Sequence, residues 1–196
     1  MRKIVFILFL CLVIPAIAYA NPFMQLMSCS VGSACNPDSN EVGNRGLTTN
    51  GSLEFTADTM YCEKSTADCS GTLGYGYALH NDTTSENLKI CVFNDDGAGS
   101  EPEDATQVGN CGTLTEDENM TWGKTTAKLT GSVTSGTAYW ICVVTDASTW
   151  YMRWNTTNAG TLYFNAIASS YTTPTTNAGD AWSTTTRDLG VYVEIE

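Results

Sequence analysis

Histidine and basic side chains are what this 196-residue sequence has least of: one histidine and nine lysines and arginines, against 21 aspartates and glutamates. A net charge of −12 leaves no electrostatic footprint for nucleic acid, and anionic membrane surfaces repel such a chain. With one imidazole, a Ser-His-Asp triad would have to use His80 in "ALHNDTT". Its nearest acid, Asp82, lies too close along the chain to orient it. His80 therefore reads as a strand-end residue without a catalytic role. Paired CxxC spacings are absent, which removes the usual zinc-site pattern. Amphipathic helical patterns between strands are missing too, so a parallel α/β fold is not expected.

Long apolar runs are also scarce, and the one present is at the start. Arg2 and Lys3 precede an apolar stretch from Ile4 to Ile14, and Ala18-Tyr19-Ala20 supplies a small-x-small cleavage pattern. Residues 1–20 read as a signal peptide cleaved before Asn21. The run is shorter than the roughly 20 residues needed to span a bilayer. Cys11 lies within it rather than at the cleavage point, which argues against a lipoprotein. Removing Arg2 and Lys3 makes the remaining chain two charges more negative. The expectation is a secreted or cell-surface protein that does not insert into a membrane after cleavage.

Cysteine is the exception to scarcity, with eight in all. In an exported chain they are expected as disulfides. Spacing suggests local staples: Cys29 with Cys35, Cys62 with Cys69, and Cys91 with Cys111. Cys142, in the apolar run "WICVV", would then be a buried free thiol. The alternative joins Cys91 to Cys142, since both sit in similar "ICV" runs. Connectivity does not follow from sequence alone.

Short runs of alternating apolar and polar residues, separated by Gly, Asn, Asp and Ser, predict strands. They fall at 72–80, 87–93, 126–131, 138–145, 150–155, 161–166 and 188–196, with one or two more in 53–61. In the last, Leu189, Val191, Val193 and Ile195 face one way, and Gly190, Tyr192, Glu194 and Glu196 the other. The fold class expected is all-β, an antiparallel β-sandwich or jelly roll. Residues 21–52 hold many turn formers and two cysteines, and read as a disulfide-stapled N-terminal extension. Residues 53–196 form a single domain.

The stretch "TAYWICVVTDASTWYMRW" concentrates aromatics. Alternation places Trp150, Met152 and Trp154 on one face, expected to be core. Tyr151, Arg153 and Asn155 are left on the other.

"LKICVFNDDGAGSEP" (88–102), "KLTGSVTSGTAYWICVVTD" (128–146), "GTLYF" (160–164) and "RDLGVYVEIE" (187–196) together resemble a known module. It is the β-sandwich of secreted bacterial and phage surface proteins, similar to the domains of choice-of-anchor proteins and some tail-fibre-like chains. The resemblance spans residues 72–196. It implies a jelly-roll-like extracellular domain for display or binding, with no catalytic residues to carry over. The extra cysteines and the lack of an anchor segment depart from that pattern.

Two site candidates follow from the residues. The acidic loop 94–104 offers Asp95, Asp96, Glu101, Glu103 and Asp104 as hard oxygen ligands for calcium, although its spacing is not that of an EF-hand. The structural reading is a solvated acidic loop, and no cofactor is required. For a glycan, an exposed aromatic beside Asn or Arg is the expected chemistry. Tyr151, Arg153 and Asn155 supply those types, with Tyr171 and Trp182 in later loops. Twenty-one acids make some carboxylate pair inevitable, so a glycosidase cannot be inferred from their number. Sequons at Asn50, Asn81, Asn119 and Asn155 are about what a chain rich in Thr and Ser produces by chance.

The expectation is a secreted, non-catalytic recognition or display module whose partner is an extracellular glycan or surface protein. The alternative is a subunit of an extracellular filament or surface assembly. There "NPFMQLM" (21–27) would serve as a donor strand to another copy of the chain.

Overall fold

A computed structural model describes residues 40–45, 51–80, 86–97, 101–116, 122–146, 151–155, 160–165, 171–176 and 182–196. The side chains of Glu86, Glu116 and Asn155 are outside this set. All the described residues belong to one compact unit, Ser33–Glu196. The expected signal peptide, the arm 21–27 and the Cys29–Cys35 staple lie outside the described residues, as do all four sequon side chains.

The described secondary structure is all β: β1 (Glu41–Gly43), β2 (Gly51–Glu54), β3 (Met60–Thr66), β4 (Gly71–Leu79), β5 (Glu86–Asn94), β6 (Gly112–Glu116), β7 (Trp122–Lys124), β8 (Ser132–Val133), β9 (Ala138–Thr145), β10 (Tyr151–Asn155), β11 (Thr161–Asn165), β12 (Ser183–Thr186), β13 (Asp188–Leu189) and β14 (Val191–Ile195). One layer is a six-stranded antiparallel sheet, β12-β11-β3-β9-β5-β6. The other comprises β1-β14-β4-β7, with β8 paired to β4, and the short sheet β13-β10-β2. These two pieces meet at Gly190. The Leu79 amide donates to its carbonyl at 2.7 Å, and its own amide donates to the Arg153 carbonyl at 3.2 Å. His80 continues β4 as a bridge to Met152.

From β3 to β14 the chain passes repeatedly from one layer to the other, so most sequence neighbours are not sheet neighbours. Between the layers lies the main core. Leu88, Ile90, Val92, Ile141, Val143 and Leu162 from the six-stranded sheet meet Val42, Ala78, Met152, Leu189, Val191, Val193 and Ile195 from the other side. The antiparallel sandwich follows directly from this shared core. The six-stranded sheet is also covered on its outer face. There Met60, Cys62, Cys91, Phe93, Trp140, Cys142 and Trp182 cluster with Ala105. The segment carrying Ala105 folds back along β5, the Val108 amide donating to the Val92 carbonyl at 2.8 Å. The buried Thr176 hydroxyl fastens it from the other side by donating to the Ala105 carbonyl at 2.7 Å. Strand β9 is therefore apolar on both faces, which is why "AYWICVV" does not alternate in polarity.

Residues 126–131, expected as a strand, are irregular. Thr125 is the cause: its hydroxyl accepts from the Gly76 amide at 3.1 Å and donates to the Ala127 carbonyl at 2.8 Å. A side chain thus replaces a rung of the ladder. The run 53–61 divides between β2 and β3, and part of the expected extension is sheet: β1 pairs with β14, and β2 begins at Gly51 and pairs with β10.

The expected Cys91–Cys111 bond is made, and two other cysteine expectations need correction. Cys142 is not a free thiol, and Cys62 does not pair with Cys69. Cys62, Cys142 and Cys91 stand side by side across β3, β9 and β5. Cys142 bonds to Cys62 and Cys91 to Cys111. The strands carrying Cys91 and Cys142 are neighbours as supposed, but the bond between those residues is not made. Cys69 is disulfide-bonded as well.

Candidate functional site

The five glycan-contact candidates do not form one surface. Tyr151 and Arg153 are half-buried on β10, where the Arg153 Nη1 donates to the Ser52 hydroxyl at 3.0 Å. Asn155 shares that strand, paired with Asp188. Tyr171 lies elsewhere, with the Lys89 ammonium 4.6 Å from its ring centroid and also bonded to its carbonyl. Trp182 is a correction: only 5% exposed, it is part of the cluster beneath the outer covering and offers no face to a ligand. On the expected core face Met152 is fully buried, and Trp154 is partly buried under the Arg187 guanidinium at 4.5 Å; Trp150 lies outside the described residues.

The acidic loop is likewise not a gathered site. Asp95 is held by the Lys64 ammonium at 2.7 Å. Glu103 and Asp104 are exposed, and Asp104 takes a left-handed φ of 58°. Among the described residues, no group of three or more acidic, histidine or cysteine side chains could hold a metal ion. His80 is fully buried at the end of β4.

A different surface brings aromatic side chains together: the solvent face of β14-β4-β7. Its origin is the glycine–tyrosine alternation of "LGYGYAL" in β4. Gly76 faces the core, where an added Cβ would meet Ile90 Cδ1 at 3.1 Å and Thr125 Cγ2 at 3.2 Å. With Gly76 and Ala78 directed inward, Tyr75 and Tyr77 face outward. Strict alternation would put Leu73 outside with them. A register shift between Val193 and Ile195 lets Leu73 join the core instead.

The neighbouring strands extend the face. Tyr192 of β14 stands opposite Tyr77, and their rings stack at 4.8 Å with an interplanar angle of 7°. Trp122 of β7 meets Tyr192 edge-on at 5.2 Å. Tyr192 lies beneath, 4% exposed, and Tyr75, Tyr77 and Trp122 form the accessible part. Cations edge the rings. The Arg45 guanidinium lies 5.1 Å from the Tyr192 centroid, and the Lys124 and Lys128 ammonium groups lie 3.7 and 5.6 Å from that of Tyr75.

Carboxylates hold these groups in place. Lys128 pairs with Glu196 at 2.7 Å, a contact that raises the lysine pKa, and Arg45 reaches Glu41 at 3.6 Å. Burial pushes the Tyr77 pKa up to about 12, helped by the hydrogen bond to Glu194. That hydroxyl thus stays protonated and donates to the carboxylate. Burial also raises Tyr192, against the opposing effect of Arg45. The result is a fixed aromatic surface edged by donors and acceptors of both signs. It can stack on an apolar ligand face and hydrogen-bond to the groups around it. The signals for it were Gly-Tyr-Gly-Tyr and the outward parity of Tyr192; neither strand touches its partner in sequence. No protein-family model and no curated protein matches the chain.

Proposed function

We propose that the protein is an extracellular, non-catalytic recognition module that binds a carbohydrate chain on the outer face of β14-β4-β7. The observation that carries this reading is the convergence of Tyr75, Tyr77, Trp122 and Tyr192 on one solvent-facing sheet surface. Aromatics on three adjacent strands extend over two strand spacings, about 10 Å. That suits successive sugar rings better than a single small ligand. Stacking would use the C–H faces of the sugar, while Arg45, Lys124 and Glu194 meet its hydroxyls. The leader-like start and the Cys62–Cys142 and Cys91–Cys111 bonds support an oxidising, extracellular setting.

The test is a glycan array followed by calorimetry with the purified protein. Tyr77→Ala and Trp122→Ala are each expected to weaken the selected glycan by about 1–2 kcal/mol, roughly 5–30-fold, with the β-sheet circular dichroism retained. Unchanged affinity in both variants refutes the assignment. Loss confined to Tyr151→Ala and Arg153→Ala would move recognition to β10.

A further inference from the structure

A cavity of about 550 Å³ opens at the margin of the six-stranded sheet, well suited in size to a small ligand. It lies beyond the start of β11. The pairing of that strand with β3 runs from Asn165–Met60 to Leu162–Glu63, so no described β11 residue pairs with Ser65 and Thr66. The start of β11 bounds one side of the gap and the end of β1 the other, where the Gly43 amide donates to the Ser65 hydroxyl at 3.0 Å. Glu63, Lys64, Trp140, Tyr163 and Asp188 complete the lining.

Glu63 sets the chemistry. It is 6% exposed, and its Oε2 accepts from the Leu189 amide at 2.9 Å. Burial pushes its pKa up to about 8, the Leu189 amide opposing and the Asp188 charge adding. A neutral carboxyl accepts at one oxygen and donates from the other. Asp188 accepts from the Gly160 amide at 2.5 Å, which fixes it at the cavity wall. Tyr163 sits edge-on to the buried Trp140 at 5.3 Å, half-buried itself.

We propose that this cavity is a second binding site that takes the terminal one or two rings of a neutral sugar, with the Glu63 carboxylic acid as a hydrogen-bond donor. Tyr163 is the apolar wall, and Asp188 and Lys64 provide an acceptor and a donor for hydroxyls. An anionic ligand is opposed by Asp188. A cation finds Glu63 neutral and the Lys64 ammonium beside it. The charged groups lining the cavity with Glu63 are Asp188 from β13 and Lys64 from β3, the latter paired with Asp95; β11 contributes Tyr163, β9 Trp140 and β1 Gly43, with Asn44 just after it, none of them charged at neutral pH. The site is independent of the aromatic face.

The test is saturation-transfer NMR and calorimetry with glucose, galactose, mannose, N-acetylglucosamine and their disaccharides. At least one is expected to bind, about tenfold more weakly in Tyr163→Ala and in Asp188→Asn, and unchanged in Trp122→Ala. Binding to the natural chain should weaken about tenfold between about pH 6 and about pH 9, and binding to Glu63→Gln, whose amide remains a donor, should not. Melting curves establish which variants are folded. The proposal is overturned if none of these sugars binds at tens of millimolar. It is equally overturned if binding survives Tyr163→Ala and Asp188→Asn, or is lost in Trp122→Ala.

Discussion

Replacing Glu63 by Gln should stabilise the protein at neutral pH, and the gain should depend on pH in a defined way. The side chain is almost entirely buried, and its carboxyl is displaced from an ordinary value of 4.5 to about 8. The folded protein therefore holds a proton that the unfolded chain releases above about pH 4.5. Stability contributed by the neutral group is fully present below that pH and is lost progressively as pH rises to about 8. At pH 7 the displacement extends over about 2.5 pH units, or about 3 kcal/mol at 1.36 kcal/mol per unit. Glutamine avoids this cost because it has no proton to retain, and its carbonyl oxygen can still accept from the Leu189 amide. Urea denaturation of both proteins with disulfides intact, at about pH 4.5, 6, 7 and 8, isolates the group by difference. The expected difference is small at the lowest pH, grows to about 3 kcal/mol in favour of glutamine at pH 7, and levels off above pH 8. A difference that does not change with pH would refute the reasoning. So would a lower stability of the glutamine variant at pH 7.

Two glycines with nearly the same backbone angle should respond differently to alanine. Gly109 has φ +68° and an added Cβ would lie 1.7 Å from the Thr130 carbonyl oxygen, whereas Gly97 has φ +71° and no atom within 4 Å. Chemical denaturation should show about 1 kcal/mol lost in Gly97→Ala and a multiple of that in Gly109→Ala. Peptide mapping under non-reducing conditions should recover Cys62 joined to Cys142 and Cys91 joined to Cys111. Loop lengths of 80 and 20 residues give about 4–5 and about 3 kcal/mol. Replacing the first pair by alanine should thus lower the melting temperature more than replacing the second.

Much of the fold was legible because strand alternation is local. The predicted 138–145 strand coincides with β9, and Leu189, Val191, Val193 and Ile195 are all fully buried as their parity required. The local pattern failed where the ladder is interrupted: residues 126–131, expected as a strand, are irregular after Thr125, whose hydroxyl takes the place of a rung. The candidate site was less legible. Tyr151 and Arg153 were correctly left off the core, but parity cannot show that Trp182 is beneath a covering segment or that Tyr77, Trp122 and Tyr192 meet.

The amino-acid sequence by itself determined the all-β character, the acidity and which side of most strands is apolar. Each depends on composition or on the two-residue period of an extended chain. Tertiary structure alone decided the partners. Cys62 meets Cys142 across 80 residues because β3 lies beside β9. Glu63 lies near Asp188 because β13 passes close enough for the Leu189 amide to donate to its carboxyl. The aromatic face exists because β14 and β7 flank β4. Sheet order comes from burying both layers at once, a requirement that no local stretch of sequence contains.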